Sequence, residues 1–379
     1  QNCSEVSMKK TSKKKLFFRV ISYYLLFVLV SSGIFVSYTV LYRGKTEPKT
    51  DAVYTNTDAA LYTLKQFSDI ACQNPIIEEY AFSDNTDHLN WDTYIIPGLK
   101  ATRTLDFGQT GQAALCTSMT PQGLAVTEDY LFISAYCHTG EHNSVLYMLD
   151  KNSHRFLKEI VLPGRTHAGG LAYDPIHHNL WVAGRERGVA QANYYSLKEL
   201  EAYSFEETKS PLKYTQKYFL YGITRDSFLT YYDKALYVGF FTTDADSVIE
   251  KFAIGEDGGL VEQLDREWGL NMKVPVAEDI TMISGKAQGI AFYGDQLLIS
   301  QSYGVFPSSL RVFNHLLAES LRDHQAEYNY LFPCQLEQIY VDGDTLYLLF
   351  ESAAYSYQAY VPTVMDRVIK LDLSFLNSE

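Results

Sequence analysis

Basic residues are scarce over most of this 379-residue chain. Residues 1–49 contain nine of the 32 Lys and Arg side chains, and residues 50–379 carry 23 basic against 43 acidic side chains, a net charge of −20. Nucleic acids and anionic membrane surfaces are bound through basic patches, which a domain of this charge does not supply. The composition therefore argues against nucleic acid as a partner and indicates an acidic surface that keeps a folded domain in solution.

The common catalytic signatures are absent as well. The sequence has no G-x-S-x-G nucleophile elbow, no H-E-x-x-H zinc motif and no Gly-rich phosphate loop between a strand and a helix. Asp244 and Asp246 lack the glycine and the distal glutamate of an EF-hand calcium loop. We therefore expect a binding protein rather than an enzyme.

Long apolar runs are confined to one segment. Residues 20–41 read VISYYLLFVLVSSGIFVSYTVL without a charge, and at about 1.5 Å per residue they are long enough for the roughly 30 Å hydrocarbon core of a bilayer. Six Lys and Arg residues precede this run and three follow it before residue 50, so the charge bias places the N-terminus in the cytoplasm. The sequence predicts a cytoplasmic basic tail over residues 1–19, a transmembrane helix over residues 20–42 and an exported remainder.

A cleaved signal peptide is the alternative, because it has the same order of basic and apolar residues. The run is longer than a signal core, and the segment SYTVLYRGK that ends it offers no small-x-small cleavage site. We therefore expect an uncleaved single-pass anchor in the cell membrane, with the lipid bilayer as its partner and the C-terminal domain outside the cell. Met8 followed by two lysines resembles an ordinary bacterial start, so it stays open whether residues 1–7 belong to the natural product.

A polar tether and a short helix are predicted over residues 43–91. The first part is rich in Lys, Thr, Asp and Pro, a composition typical of linkers. Apolar residues then recur at every third position over residues 59–71, which indicates an amphipathic helix that packs on the following domain.

Internal repetition dominates the remainder of the chain. Five segments share one layout, in which a Gly-rich or polar start leads into an apolar strand, a turn, an alternating strand and a third strand. They begin 46 to 61 residues apart, at Pro121, His167, Asp226, Ala287 and Leu336. This is the span of a propeller blade, and radial stacking of blades buries both faces of sheets that a single unit would leave exposed.

We therefore predict an all-β fold, a β-propeller of five blades over residues 92–379. The fifth unit ends without an outer strand, so we expect residues 92–107 to supply it and to close the ring. Six blades are the alternative if residues 92–116 form a fuller sheet.

The repeat strings carry a resemblance. PQGLAV, HAGGLAYDPIHHNLWV, AQGIAF followed by LLISQSYGVFPSSL, and LYLLFESAAYSY resemble a group of secreted or membrane-anchored bacterial propeller proteins that have no assigned reaction. The resemblance covers roughly residues 110–373. The blade pattern is more distantly similar to propellers of the gluconolactonase and strictosidine-synthase type, which is an analogy of fold and not of function.

Propeller geometry selects the candidate site. The inner strand of each blade starts near one mouth of the central channel, and the second strand returns to the same mouth. By that alignment the mouth is lined by Gln122, Tyr136, His167, Arg185, Arg225, Asp226, Gln288, Ser302, Glu337 and Glu351.

This polar ring is suited to a small polar ligand or a glycan. No cofactor is expected, with calcium between Glu337, Asp226 and Gln side chains as the one ion to consider. The structural alternative is that the ring only satisfies backbone groups and channel water. If a ligand binds, we expect Glu337 to matter most as an ionised acceptor, with Arg185 and Arg225 nearest to it and His167 as a proton-sensitive donor near neutral pH.

Cysteines are few, and four of the five follow the predicted anchor. An even number in an exported domain favours disulfides, with free thiols as the alternative. Cys116 precedes the first inner strand and Cys137 follows the second strand of the same blade, so we favour Cys116 with Cys137 and Cys72 with Cys334.

The sequence leaves three functions open. The first is a binding or scaffolding module for a ligand, a cell-envelope component or a protein partner. The second is a metal-dependent, lactonase-like hydrolase with its active site at the central channel. The third is a structural subunit of a membrane complex.

Overall fold

In the computed structural model, all described residues belong to one compact unit, Thr55–Glu379. The described residues are 59–81, 92–107, 112–223, 225, 227–265, 269, 271–314 and 319–377. The predicted tail and transmembrane helix lie outside these residues. Within the described ranges, no helix has the length and apolar character needed to cross a bilayer.

Two short helices precede the sheets. Helix α1 (Leu64–Ala71) begins at a capping box between Thr63 and Gln66, and α2 (Pro75–Tyr80) begins at Asn74, whose side chain accepts backbone N–H groups at the first turn. The predicted helix over residues 59–71 thus begins at Leu64. The buried side chains of both helices pack into a cluster with residues of the last two blades, so they are part of the folded domain.

Five blade sheets follow one another along the chain, four of them with four strands and the sheet of blade 3 with a short fifth strand at its outer edge. Their N-terminal neighbours are β1 (Tyr94–Ile95), β2 (Thr102–Leu105) and β3 (Ala113–Cys116). Blade 1 consists of β4 (Met119–Val126), β5 (Tyr130–Cys137), β6 (Val145–Asp150) and β7 (Phe156–Val161). Blade 2 consists of β8 (Leu171–Asp174), β9 (Asn179–Glu186), β10 (Val189–Ser196) and β11 (Gln216–Leu220), with helices α3 (Leu197–Ala202) and α4 (Phe205–Thr208) before its last strand.

The remaining blades carry small additions. Blade 3 consists of β12 (Phe228–Tyr232), β13 (Ala235–Gly239) and β14 (Ser247–Ala253), then the hairpin of β15 (Glu262–Leu264) and β16 (Lys273–Pro275), and then its outer strand β17 (Asp279–Ile283). Blade 4 consists of β18 (Ala287–Tyr293), β19 (Gln296–Gln301), β20 (Ser308–Phe313) and, after the short strand β21 (Ser320–Leu321) that pairs with β17, β22 (Tyr328–Phe332). Blade 5 consists of β23 (Leu336–Asp342), β24 (Thr345–Phe350), β25 (Arg367–Asp372) and β1.

The blades form a closed ring. The inner strand of each blade contacts the next one in order, β4 with β8, β8 with β12, β12 with β18, β18 with β23, and β23 with β4. Strand β1 pairs antiparallel with β25, Tyr94 opposite Val368, so an N-terminal strand completes the last blade as predicted. The six-blade alternative is wrong, because β2 and β3 form only a two-stranded hairpin.

The five inner strands are in the same register. In each blade, the residue that pairs with the fourth residue of the second strand directly follows one position of the repeat alignment, as predicted. These positions are Gly123, Gly170, Phe228, Gly289 and Gln338. The glycines are required by close approach, since a Cβ at Gly170 would lie 2.4 Å from the backbone nitrogen of Leu229 in blade 3.

The side chain of Gln338 fills the centre of the ring. Its Oε1 accepts backbone N–H groups of Leu124 and Leu171, each at 2.8 Å. Its Nε2 donates to the carbonyl oxygens of Leu171 at 2.6 Å and Leu229 at 3.1 Å. One amide therefore joins blade 5 to blades 1, 2 and 3 and uses its full hydrogen-bonding capacity.

Candidate functional site

Side chains from all five blades surround one cavity of about 670 Å³ at the end of the channel where the inner strands start. Nine of the ten predicted mouth residues line it, and the tenth, Asp226, lies outside the described residues. The nine are Gln122, Tyr136, His167, Arg185, Arg225, Gln288, Ser302, Glu337 and Glu351.

The sequence alignment missed part of the lining. Thr166, Tyr303, Gln335 and Tyr357 also face the cavity. Gln335 and Thr166 directly precede predicted inner-strand starts, so a wider window around each start would have found them. Tyr357 lies in the loop between β24 and β25, where strand alignment carries no information.

Two glutamates in blade 5 are in direct contact. Glu337 is 2 % exposed on the inner strand, and its carboxyl group is hydrogen-bonded to that of Glu351 at the end of the second strand. Gln122 of blade 1 donates from Nε2 to Oε2 of Glu351 at 2.9 Å.

This contact sets the protonation of the pair. Burial raises the pKa of Glu337 well above its ordinary value, and the charge of Glu351 and the hydrogen bond to it raise this pKa further. Burial raises the pKa of Glu351 to about 7, opposed by hydrogen bonds from Glu337 and Gln122. Two touching carboxyl groups cannot both be ionised at neutral pH. Glu337 therefore carries the shared proton and donates a hydrogen bond to Glu351.

The expectation of an ionised Glu337 beside the two arginines is therefore wrong. Among the described residues, Glu337 makes no ion pair with Arg185 or Arg225. The physical reason is that the start of an inner strand and the end of the second strand in one blade meet at the same point. Glu351 is consequently the partner of Glu337, and a proton shared by the two carboxyl groups takes the place of the arginine that the sequence predicted there.

The two arginines lie across the ring from the carboxyl pair. Arg185 is near the end of β9 in blade 2, and Arg225 precedes β12 in blade 3. Both side chains are exposed to the cavity and form no hydrogen bond or ion pair with any described residue. As far as the described residues show, the cavity has two unpaired positive charges on one side and a proton-sharing acid pair on the other.

Aromatic rings form another part of the wall. The rings of Tyr136 and His167 lie with their centroids 4.4 Å apart, and Tyr357 is hydrogen-bonded to Tyr136. Burial, with the nearby charge of Glu351, raises the pKa of Tyr136 to about 12. His167 is open to the cavity but enclosed by protein on its other sides, which lowers its pKa to about 4. This lowered pKa argues against the expected proton-sensitive role of His167 near pH 7, and that role stays a prediction because the side chain is exposed at the cavity.

Two polar atoms of the lining have no partner in the part of the chain that the structure describes. Thr166 Oγ1 and Gln335 Oε1 are buried without a hydrogen bond to any described residue. Buried polar groups in folded proteins are nearly always hydrogen-bonded, so two such atoms beside one cavity indicate a site that a polar ligand or ordered water completes.

Calcium at the mouth stays a prediction. The described lining offers two carboxyl groups and the amides of Gln122, Gln288 and Gln335, whereas calcium takes about six to eight oxygen ligands. Within the part of the chain that the structure describes, no group of three His, Cys, Asp or Glu ligands converges at the mouth.

The cysteines do not form the favoured disulfides. All four described cysteines are free thiols. Cys72 and Cys334 have different neighbours, the Ser68 hydroxyl and the Thr363 carbonyl oxygen, each at 3.9 Å, because α1 packs without bringing Cys72 to Cys334. Cys116 and Cys137 are neighbours as predicted, but their sulfur atoms are hydrogen-bonded and not joined.

No protein-family model matches the chain, and no curated protein matches it. Solved structures that are similar include a Thermus thermophilus protein described as a putative oxidoreductase (glucose dehydrogenase), with 14 % identity over 73 % of this chain and 91 % of that chain at a TM-score of 0.39. The Kuenenia stuttgartiensis hydrazine synthase has 13 % identity and a TM-score of 0.33. The match covers 61 % of this chain and only 55 % of that chain. A chain of the mitotic checkpoint complex has 9 % identity over 74 % of this chain and 86 % of that one, with a TM-score of 0.37.

Proposed function

We propose that this β-propeller binds an acidic sugar, or a short oligosaccharide that bears a carboxylate, in the mouth of its channel. The observation that carries the proposal is the presence, in one cavity, of two arginine side chains that have no partner among the described residues and of a proton-sharing carboxyl pair across the ring from them. The arginines are suited to the carboxylate of such a ligand. The carboxyl pair is suited to its hydroxyl groups.

The other features of the cavity support the same class of ligand. Its volume of about 670 Å³ is in the usual range for small-molecule sites. The face made by Tyr136 and His167 offers an apolar surface of the kind that packs against a sugar ring, and the orphan oxygen atoms of Thr166 and Gln335 offer hydrogen-bond acceptors. Arginine is the side chain best shaped to bind a carboxylate through two hydrogen bonds.

Calorimetric titration of the full-length protein with uronic acids and with the matching neutral sugars tests the proposal. We expect binding of the acidic members, and a loss of affinity of about 10- to 100-fold in Arg185→Ala, which corresponds to about 1.4 to 2.8 kcal/mol. Arg187→Ala is the matched control, because Arg187 is exposed two residues further along the same blade and does not line the cavity. Equal affinity for acidic and neutral sugars, or an equal effect of both substitutions, would contradict the proposal.

The alternative is a metal-dependent, lactonase-like hydrolase at the same cavity. Its support is the pKa of Glu351, which burial raises to about 7 and which suits a general base. Its weakness is that the described lining supplies only two acids. Hydrolysis of a sugar lactone that depends on added calcium and is lost in Glu351→Gln would favour this alternative.

We also propose that the propeller is displayed outside the cell from a single-pass anchor. The support is the uncharged run of residues 20–41 and the basic residues before it. A cell-envelope glycan would then be within reach of the mouth, and binding it is one way in which such a module could act as a scaffold.

A further inference from the structure

A second cluster of chemically reactive side chains lies outside the mouth cavity. Cys116 is the last residue of β3, Cys137 is the last residue of β5, and His142 lies in the following loop. His142 also forms a β-bridge with Asp106, next to the end of β2. The cluster therefore joins the β2–β3 hairpin to the mouth-side loop of blade 1.

The three ligand atoms converge. Both sulfur atoms and a ring nitrogen of His142 lie within 4.8 Å of one another. The distance between Cys137 Sγ and His142 Nδ1 is 3.3 Å. In a tetrahedral zinc site, bonds of about 2.3 Å to sulfur and about 2.0 Å to nitrogen place those two atoms about 3.5 Å apart. The cluster thus needs only small side-chain movements to become such a site.

Two hydroxyl groups stand at the same sulfur atoms. Ser118 Oγ lies 3.7 Å from Cys116 Sγ and 3.4 Å from Cys137 Sγ. Thr139 Oγ1 lies 3.2 Å from Cys137 Sγ. The Ser118 hydroxyl group therefore lies near both sulfur atoms, on the side where a fourth ligand of a tetrahedral site would stand.

The other described cysteines lack these features. Cys72 and Cys334 each have one weak oxygen neighbour and no histidine or second sulfur close by. Burial alone therefore does not explain the Cys116 cluster. Ligands from two separate segments, the end of β3 and the end of β5 with its following loop, meet at this place.

We propose that Cys116, Cys137 and His142 bind a zinc ion, with a hydroxyl group or a water molecule as the fourth ligand. Binding forms two zinc–sulfur bonds and one zinc–nitrogen bond and releases any thiol protons to solvent, without a change in oxidation state. The ion would fix the β2–β3 hairpin to blade 1 beside Tyr136, and so would stiffen one wall of the mouth. This inference is independent of the identity of the ligand in the cavity.

Titration of the fully reduced, metal-free full-length protein with Co²⁺ tests the proposal. We expect about one equivalent to bind, with the thiolate-to-cobalt absorption of a Cys₂His site, and Zn²⁺ to displace it. Cys116→Ser, Cys137→Ser and His142→Ala should each weaken Co²⁺ binding by at least about tenfold. Cys72→Ser, a free thiol outside the cluster, should bind like the unaltered protein.

Two results would overturn the proposal, and neither depends on a variant that folds poorly. One is the absence of stoichiometric Co²⁺ or Zn²⁺ binding by the reduced, unaltered protein, with circular dichroism showing that it is folded. The other is binding that survives alkylation of Cys116 and Cys137, located by peptide mass mapping. If the isolated protein contains a Cys116–Cys137 disulfide and takes up no metal after that disulfide is reduced, the proposal is overturned in the same way as by the first result.

Discussion

Gln338 shows how much of the ring depends on one side chain. Three of the five equivalent positions are glycine, which lets neighbouring inner strands approach closely, and the fully buried Gln338 occupies a fourth. Its four hydrogen bonds reach three other blades. Gln338→Leu would leave those backbone groups buried without partners, and each such group costs about 1 to 3 kcal/mol.

We therefore expect Gln338→Leu to lower the free energy of unfolding by at least about 3 kcal/mol, measured by urea denaturation. Gln296→Leu is the control, because Asn314 at the surface is the one described residue that the Gln296 side chain bonds, and we expect a change within about 0.5 kcal/mol. Similar effects of the two substitutions would show that the central amide is not a major source of stability.

Glu250 in β14 makes stability depend on pH. Burial raises its pKa from 4.5 to about 7, so the folded protein retains a proton that the unfolded chain releases. The stability that this proton contributes is complete below about pH 4.5 and is lost as pH rises to about 7. Relative to the unaltered protein, Glu250→Gln should gain about 1 to 3 kcal/mol between pH 4.5 and pH 8 in chemical denaturation.

The exposed Glu256 provides the control for this pH series. Glu256→Gln should follow the unaltered protein at every pH. A stability difference between Glu250→Gln and the unaltered protein that stays constant from pH 4.5 to pH 8 would show that Glu250 does not titrate in this way.

The two mouth glutamates should respond differently to the same change. Because Glu337 carries the proton, Glu337→Gln keeps a neutral group that can donate to Glu351, and we expect ligand affinity to change by less than about threefold at pH 7. Glu351→Gln removes the charged acceptor, and we expect a loss of about 10- to 100-fold. Calorimetry with the acidic sugar selected above measures both, and a larger loss in Glu337→Gln would reverse the assignment of the proton.

Among the elements, the two-residue strand β1 has the largest structural consequence. It completes blade 5, and the backbone N–H of the next residue, Ile96, donates to the carbonyl oxygen of Asp366 at 3.0 Å. Ile96→Pro removes that donor at the closure of the ring, so we expect the free energy of unfolding to fall by about 3 kcal/mol or more. Ile96→Val keeps the donor and should cost only about 0.5 to 1.5 kcal/mol.

Thermal unfolding followed by circular dichroism compares these two substitutions. If Ile96→Pro costs no more than Ile96→Val, the pairing of β1 with β25 contributes little to closure. Limited proteolysis gives a second view, because an open ring should be cut first near the N-terminal strand of the domain.

At the scale of the whole molecule, the anchor proposal sets the topology. Protease added to intact cells should remove the domain that follows residue 42 and spare an epitope tag at the N-terminus, because the basic flank keeps that end inside. A cytoplasmic marker protein should survive in intact cells and be degraded after permeabilisation. Protection of the whole domain in intact cells would refute an external location.

The sequence by itself determined the blade repeat, the closing N-terminal strand and nine of the described cavity residues. Each depends on local patterns, namely strand alternation and turn residues that recur once per blade, so aligned units occupy aligned places in a ring. Those patterns identified Glu337, Glu351, Arg185 and Arg225 as neighbours of one mouth.

Only the tertiary structure decided what these residues do to one another. Burial and contacts between residues far apart in the chain decide three features of the site. These are the carboxyl contact of Glu337 with Glu351, the lowered pKa of His167 and the central position of Gln338, which bonds Leu124 across a separation of 214 residues in the sequence. The convergence of Cys116, Cys137 and His142 without a disulfide has the same origin. The pKa of a side chain depends on its distance from neighbouring groups and on how much water burial removes from it, and a disulfide depends on the separation of two sulfur atoms. A linear pattern of residues contains none of these quantities.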